Sequence, residues 1–113
     1  MITFDQQSIG AVTVLKPIGP VANAEDAQHL LQQATTGIRN SMGRFVLDVS
    51  EMSYVDSQGL EALIDIAGQL SAFGQVLKLC AQGETLEETI RLTQTADSFE
   101  SFDQVQDAVR SYR

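Results

Sequence analysis

Residues 45–60 read FVLDVSEMSYVDSQGL, and this stretch decides the fold. Residues 45–49 are apolar apart from Asp48, which is typical of a short strand buried on both faces of a parallel or mixed sheet. A loop follows over residues 50–55. From Leu60 to about Gly74, apolar residues recur at helical spacing. The stretch therefore predicts a central strand, a loop and a helix.

Two strands and a helix are predicted on the N-terminal side of this stretch. Residues 2–7 and 11–16 are rich in β-branched and apolar side chains, and the short turn between them indicates an antiparallel hairpin. Pro17 and Pro20 are expected to end the second strand. Asn23 is a good N-cap residue for the next helix. The apolar face of that helix is formed by Ala27, Leu30, Leu31, Ala34 and Ile38.

Two further strand and helix pairs are predicted on the C-terminal side. Residues 76–80 form an apolar run that indicates a strand, and the capping box Thr85–Glu88 predicts the start of a helix. A last strand is expected around residues 99–102. The capping box Asp103–Gln106 then predicts the closing helix.

The resulting element order is ββαβαβαβα. It predicts a single α/β domain over residues 1–113, with helices packed against a mixed, mostly parallel sheet and right-handed crossovers between parallel strands. Ligands and partners of such sheets meet the carboxyl ends of the strands. Because Asp56 and Ser57 follow the central strand, they lie where we expect the function.

Charge and composition exclude several kinds of partner. The chain has 7 Lys and Arg residues against 15 Asp and Glu residues, and its formal net charge is −8. That charge repels polyanions, so nucleic acid and anionic membrane surfaces are poor candidates for direct contact. The start of the chain lacks the basic and apolar regions of a signal peptide, and no apolar run approaches the roughly 20 residues of a spanning helix. We expect a cytoplasmic protein without membrane insertion.

Enzyme motifs are missing from the sequence. There is no phosphate-binding loop with its lysine, no dinucleotide glycine fingerprint and no nucleophile elbow. His29 is the only histidine and falls on the polar side of its helix, and Cys80 ends an apolar strand, where a free cysteine packs as a small apolar side chain. We therefore expect no catalytic residues, no cofactor and no metal site.

Ser57 has two interpretations on physical grounds. Asp56 or Ser57 could simply cap the helix, a role worth about 1 kcal/mol. A hydroxyl at a helix N-terminus, with Gly59 leaving room for close approach, is also a place where backbone N–H groups and the helix dipole accommodate an added phosphate. The residues alone leave both interpretations open.

The same residues resemble the STAS domain family, which includes anti-sigma factor antagonists and modules of transporters. The resemblance rests on Val46–Ser50, the family's hydrophobic-Leu-Asp-hydrophobic-Ser run, and on Tyr54–Leu60, which contains its Asp-Ser-x-Gly-Leu loop. It extends through Gly74 and the strand with Leu77 and Leu79 to the closing helix. Nearly the whole chain is covered.

The resemblance implies a phosphorylation switch. It implies that Ser57 is phosphorylated by an anti-sigma factor that is a serine kinase of the GHKL type, and that this phosphorylation releases the kinase. A PP2C-type phosphatase resets the switch. Gln58 stands where many antagonists carry serine or threonine, and Glu61 where a small residue is frequent. The partner-binding residues that the resemblance implies are Asp48, Asp56, Ser57, Gln58, Gly59 and Glu61.

The resemblance also allows an alternative function. STAS domains occur as constitutive subunits that regulate a membrane transporter, such as an ABC lipid transporter or an anion transporter. In that role Ser57 would never accept a phosphate.

Overall fold

The structure is a computed structural model that describes residues 2–81, 83–93 and 96–112. Its strands are β1 (Thr3–Ile9), β2 (Val12–Ile18), β3 (Phe45–Asp48), β4 (Leu77–Cys80) and β5 (Phe99–Phe102). Its helices are α1 (Ala24–Ser41), α2 (Ser57–Ser71), α3 (Glu84–Leu92) and α4 (Val105–Arg110), and a short 3₁₀ turn over Ala96–Ser98 precedes β5.

The strands form one five-stranded sheet in the order β1-β2-β3-β4-β5. β1 and β2 are antiparallel, and β2, β3, β4 and β5 run parallel to one another. The predicted order ββαβαβαβα and the mixed, mostly parallel sheet are therefore confirmed. β3 is the central strand, as its apolar run over residues 45–47 indicates.

The N-terminal hairpin is longer than the sequence predicts. Its two strands pair without interruption from Thr3↔Ile18 to Ile9↔Val12, and Gly10 makes the turn with φ of +61°, which favours glycine. Of the two prolines that are expected to end β2, Pro17 instead lies inside the strand, which ends at Ile18, two residues before Pro20. Pairing between β2 and β3 stops at Leu15, so no neighbouring strand on that side needs an N–H from Pro17.

Side chains alternate between the two faces of the sheet. Leu15, Leu47 and Leu79 belong to the larger apolar core, which also contains buried apolar side chains of α1, α2 and α3. Val14, Val46 and Cys80 point to the other face, where α4 covers them with Ala108 and neighbouring side chains. Three helices therefore pack on one face of the sheet, and the short helix α4 packs on the other.

The helix starts confirm one prediction and correct two. Asn23 caps α1, and its side chain accepts a hydrogen bond from the Asp26 N–H at 2.8 Å. α3 begins after Gly83, because the chain leaves β4 through Ala81 with φ of +59°, so the predicted capping box Thr85–Glu88 is wrong. α4 begins after Gln104, because two residues turn the chain out of β5.

The start of α4 also differs from the prediction. Gln104, in the extended conformation, occupies the N-cap position, and no side chain caps α4. The predicted capping box Asp103–Gln106 is therefore wrong.

A buried lysine and a tyrosine hold α4 against the sheet. The Tyr112 hydroxyl donates to the Phe45 carbonyl at 2.6 Å and accepts from the Phe45 N–H at 3.2 Å. The ammonium group of Lys78 lies 2.6 Å from a Glu100 carboxylate oxygen and 4.7 Å from the centroid of the Tyr112 ring. These contacts give the short helix α4 a fixed position despite its six residues.

Candidate functional site

The loop between β3 and α2 is fixed by backbone hydrogen bonds to the segment that follows β2. The Gly19 N–H donates to the Glu51 carbonyl at 3.0 Å, and the Val21 N–H donates to the Tyr54 carbonyl at 2.8 Å. The Asp56 N–H donates in turn to the Val21 carbonyl at 3.0 Å. These bonds satisfy the loop backbone and place the start of α2 at the carboxyl edge of the sheet.

Asp56, and not Ser57, caps α2. The Asp56 backbone is extended, and its Oδ1 accepts a hydrogen bond from the Gly59 N–H at 2.8 Å. Ser57 is the first helical residue, is exposed, and its hydroxyl forms no hydrogen bond with any described residue. The structure thus decides between the two capping candidates and leaves the Ser57 hydroxyl without a structural role.

Gly59 seats the first turn of α2 against the body of the domain. A Cβ at this position would lie 2.8 Å from the Cγ1 atoms of both Val21 and Val55. The space beside Gly59 is therefore occupied by two valines and is not open for close approach of a partner. Only glycine lets the helix start this close to the sheet, and this packing fixes the position of Ser57.

Gln58 and Glu61 extend the exposed surface beyond Ser57. Both side chains line an open groove between α1 and α2, which also contains Leu31 and Asp65. Gln58 and Glu61 are three residues apart on one helix and therefore share a face. The structure brings Asp56, Ser57, Gln58 and Gly59 together in one turn and places Glu61 in the next.

Asp48 is the one predicted site residue that lies apart. Its Oδ1 accepts a hydrogen bond from the Ser50 N–H at 3.0 Å, so it shapes the beginning of the loop. Its side chain points to the face that α4 covers, into a groove of about 450 Å³ that also contains Lys16 and Val105. Asp48 therefore affects the site only indirectly, through the loop backbone to which it is hydrogen-bonded.

The chain around Ser57 is acidic. No lysine or arginine occurs between Arg44 and Lys78 in the sequence. The same interval contains Asp48, Glu51, Asp56, Glu61 and Asp65. A phosphate added at Ser57 would have no basic side chain from this part of the chain beside it.

Cys80 is buried, which confirms that it belongs to the core. Its Sγ donates to the Leu47 carbonyl at 3.7 Å. Burial, and to a lesser extent the nearby charge of Asp48, raise the pKa of the thiol to about 12. The group therefore stays a thiol at neutral pH and is a poor nucleophile.

The described residues offer neither a cluster of metal ligands nor a membrane-spanning helix. In residues 2–81, 83–93 and 96–112, no group of three or more His, Cys, Asp or Glu side chains is placed to hold a metal ion. Within the same residues, no helix combines the length and apolar character needed to cross a membrane.

Two side chains that the sequence patterns did not single out are Lys78 and Tyr112. A charged residue between Leu77 and Leu79 in an apolar strand is the signal that could have drawn attention to Lys78. Tyr112 offers no such signal, because its partner is the backbone of Phe45, 67 residues away.

Solved structures similar to this chain share its fold. The crystal structure of a proposed anti-sigma factor antagonist from Thermotoga maritima matches with a TM-score of 0.85 at 20% identity, covering 96% of this chain and 92% of that chain. An anti-sigma factor antagonist from Mycobacterium paratuberculosis matches with a TM-score of 0.84 at 22% identity, covering 98% and 93%. The phosphorylated form of the Bacillus cell fate determinant SpoIIAA matches with a TM-score of 0.71 at 14% identity, covering 98% and 100%.

At these identities the likeness concerns the fold, a five-stranded mixed sheet with four helices of the SpoIIAA type. A search of curated proteins finds no significant match. The family model of the STAS domain matches residues 3–108, nearly the whole chain. The chain therefore belongs to the STAS domain family.

Proposed function

We propose that this chain is an anti-sigma factor antagonist that works as a phosphorylation-controlled protein-binding switch in the cytoplasm. The unphosphorylated chain binds an anti-sigma factor that is also a serine kinase of the GHKL type. Phosphorylation of Ser57 releases the chain, and a PP2C-type phosphatase restores the hydroxyl. In support, the Bacillus protein SpoIIAA, which has the same fold, is known in a phosphorylated form. The chain itself has no catalytic role.

The observation that carries this proposal is the position of the Ser57 hydroxyl. It stands exposed on the first residue of α2, while Asp56 performs the capping. Hydrogen bonds from the loop to the segment after β2 hold that residue in place. A kinase therefore meets a presented hydroxyl on a rigid support, and modification breaks no bond that the fold needs.

The transfer itself needs groups from the kinase. The Ser57 Oγ attacks the γ-phosphorus of ATP bound to the kinase, the bond from that phosphorus to the bridging oxygen of ADP breaks, and ADP leaves. The hydroxyl proton passes to a base on the kinase. This chain contributes the acceptor and its orientation.

Release follows from charge at the interface. The phosphate adds roughly −1.5 to −2 charge, and the N-terminus of α2, whose first turn contains no acidic side chain, accommodates part of it. Asp56 and Glu61 oppose the phosphate. At the partner surface this charge would have to be desolvated without a basic side chain from residues 45–77, a cost of several kcal/mol.

The proposed docking surface has three kinds of residue. Ser57, Gln58 and Glu61 are exposed and contact the partner directly. Asp56 and Gly59 hold the helix start in position through the cap and the contact with the valines. Asp48 shapes the loop through its bond to the Ser50 N–H.

Labelling by the kinase tests the proposal. Incubation of the chain with the anti-sigma kinase and ATP should place phosphate on Ser57, as phosphopeptide mapping detects, and Ser57→Ala should abolish it. Ser53→Ala is the matched control, since Ser53 is an exposed serine of the same loop, and it should be labelled normally. Phosphate on Ser50 or Ser53, with Ser57 unmodified, would overturn the proposal.

A further inference from the structure

The two edges of the sheet differ in how they are protected against pairing. β5 is four residues long, carries Glu100 in an ion pair with Lys78, and is followed after two residues by α4. β1 is seven residues long, pairs with β2 without a bulge, and contains Asp5 as its only charged residue and no proline. Proteins commonly protect edge strands with charges, prolines, bulges or short length, and β1 has little of this protection.

The free edge of β1 presents an alternating set of backbone groups. The two-residue turn at Gly10 and Ala11 makes Ile9 and Val12 a hydrogen-bonded pair, so every second residue back along β1 directs its N–H and C=O toward β2. The intervening residues direct theirs away from the sheet. These outward residues are Phe4, Gln6 and Ser8.

The outward set is self-complementary in one register. We propose that β1 pairs antiparallel with β1 of a second copy of this chain, centred on Gln6. In this register Gln6 lies opposite Gln6 of the second copy, Phe4 lies opposite Ser8, and all outward groups of the three residues find partners. A continuous ten-stranded sheet results.

The alternative registers are poorer because of charge and pairing. Shifting the centre to Asp5 places the two Asp5 carboxylates opposite each other, which is destabilising. Shifting it to Gln7 leaves Phe4 without a partner for its outward groups. In the proposed register Asp5 lies opposite Gln7, and no like charges meet across the new ladder.

The association is weak and depends on salt. A single strand edge buries less than the roughly 1,200 Å² of a standard interface, so the dissociation constant is expected on the order of 0.1–1 mM. Each chain has a net charge of −8, and the resulting repulsion opposes association. Added salt screens this repulsion and should tighten the dimer.

Sedimentation equilibrium with two lysine variants tests both the dimer and its register. Gln6→Lys places two lysines opposite each other and should weaken the dimer several-fold. Gln7→Lys changes the net charge equally but places each lysine opposite Asp5 of the second copy, so it should tighten the dimer about 2- to 10-fold. Both side chains are exposed, so both variants should fold like the unmodified chain.

Amide exchange of the full chain provides the second readout. The amides of Phe4, Gln6 and Ser8 should exchange more slowly as the protein concentration rises, while the amide of Gln7, bonded to β2, should stay protected throughout. Three results would each overturn the proposal: a monomer up to about 1 mM, equal shifts of both lysine variants in one direction, or concentration-independent exchange of the three amides. Pairing of β1 with a strand of a different protein, without self-association, would overturn it as well.

Discussion

The helices α2 and α3 both follow a parallel strand of the same sheet, yet they start in opposite ways. α2 is capped by the Asp56 side chain and has no acidic residue in its first turn. α3 begins after Gly83 without a side-chain cap and carries Glu84 and Glu87 in its first turn. Two carboxylates in the first turn thus neutralise the positive end of the α3 dipole. At α2, only the side chain of the N-cap residue interacts with the positive end of the dipole.

The two connections also differ in how firmly each fixes the first residue of its helix. A capped start, a hydrogen-bonded loop and the close contact of Gly59 with the valines all fix the position of Ser57. At the start of α3 no side chain of a described residue caps the helix, and a Cβ at Gly83 would meet nothing within 4 Å. Our proposal assigns the function to the β3–α2 connection, and it predicts that variants there have consequences that matched variants elsewhere do not.

The largest effect is expected at Gly59. Gly59→Ala forces a Cβ to within 2.8 Å of two valine side chains and should lower the free energy of unfolding by about 2–3 kcal/mol. Gly68→Ala is the matched control on the same helix, where a Cβ meets nothing within 4 Å, and it should stabilise the domain by about 0.5–1 kcal/mol. Urea unfolding measures both. Equal effects of the two variants would contradict the packing account.

Cys80 at the end of β4 is in register with Asp48 at the end of β3. The Cys80 thiol should make the stability of the fold sensitive to alkaline pH. Burial and, to a lesser extent, the Asp48 charge raise the Cys80 pKa from 9.0 to about 12, so the unfolded chain releases a proton in that range that the folded chain keeps. Stability should therefore fall as pH rises above 9.0, by about 1.4 kcal/mol per pH unit from this group.

Two variants separate the causes of that alkaline loss. Cys80→Ala should remove the contribution of the thiol, and Asp48→Asn should reduce it by a smaller amount, because burial is the larger cause of the shift and the Asp48 charge the lesser. Denaturant unfolding at about pH 8 and about pH 10 measures the change. An alkaline loss in Cys80→Ala as large as in the unmodified chain would contradict this assignment.

A smaller effect is expected at the cap of α2. Asp56→Ala removes the acceptor of the Gly59 N–H and should cost about 1 kcal/mol of unfolding free energy. Ser57→Ala should change stability by less than about 0.5 kcal/mol, since its hydroxyl makes no bond within the described chain. A loss on Ser57→Ala equal to that on Asp56→Ala would assign Ser57 a capping role after all.

The sequence predicts the order of elements because the apolar patterns are strong. Residues 45–49 indicate the central strand correctly, and Asn23 marks the start of α1. The capping boxes fail at α3 and α4 because backbone turns at Ala81 and after Phe102 decide which residue takes the N-cap position. Short polar motifs do not encode those turns.

The sequence predicts less of the candidate site than of the element order. The motif around Ser57 places the helix start, but the choice of Asp56 as the cap depends on the backbone conformation of one residue. The alternation of side chains along β3 puts Asp48 and Val46 on one face of the sheet. The sequence does not predict that α4 covers this face. The packing of Gly59 depends on Val21, which lies 38 residues earlier in the chain and comes close only through folding.

Binding calorimetry with the anti-sigma kinase tests the central claim, that phosphate on Ser57 controls the interface without refolding the domain. Phosphorylated protein should bind at least about 100-fold more weakly than unmodified protein, and Ser57→Asp should show only part of this loss because it carries one charge and less bulk. Ser53→Asp, which adds the same charge at an exposed position of the loop, should bind within about twofold of the unmodified chain. Amide spectra of the phosphorylated protein should change only near Ser57. Equal affinities of the unmodified and phosphorylated proteins would contradict the switch and favour a constitutive subunit.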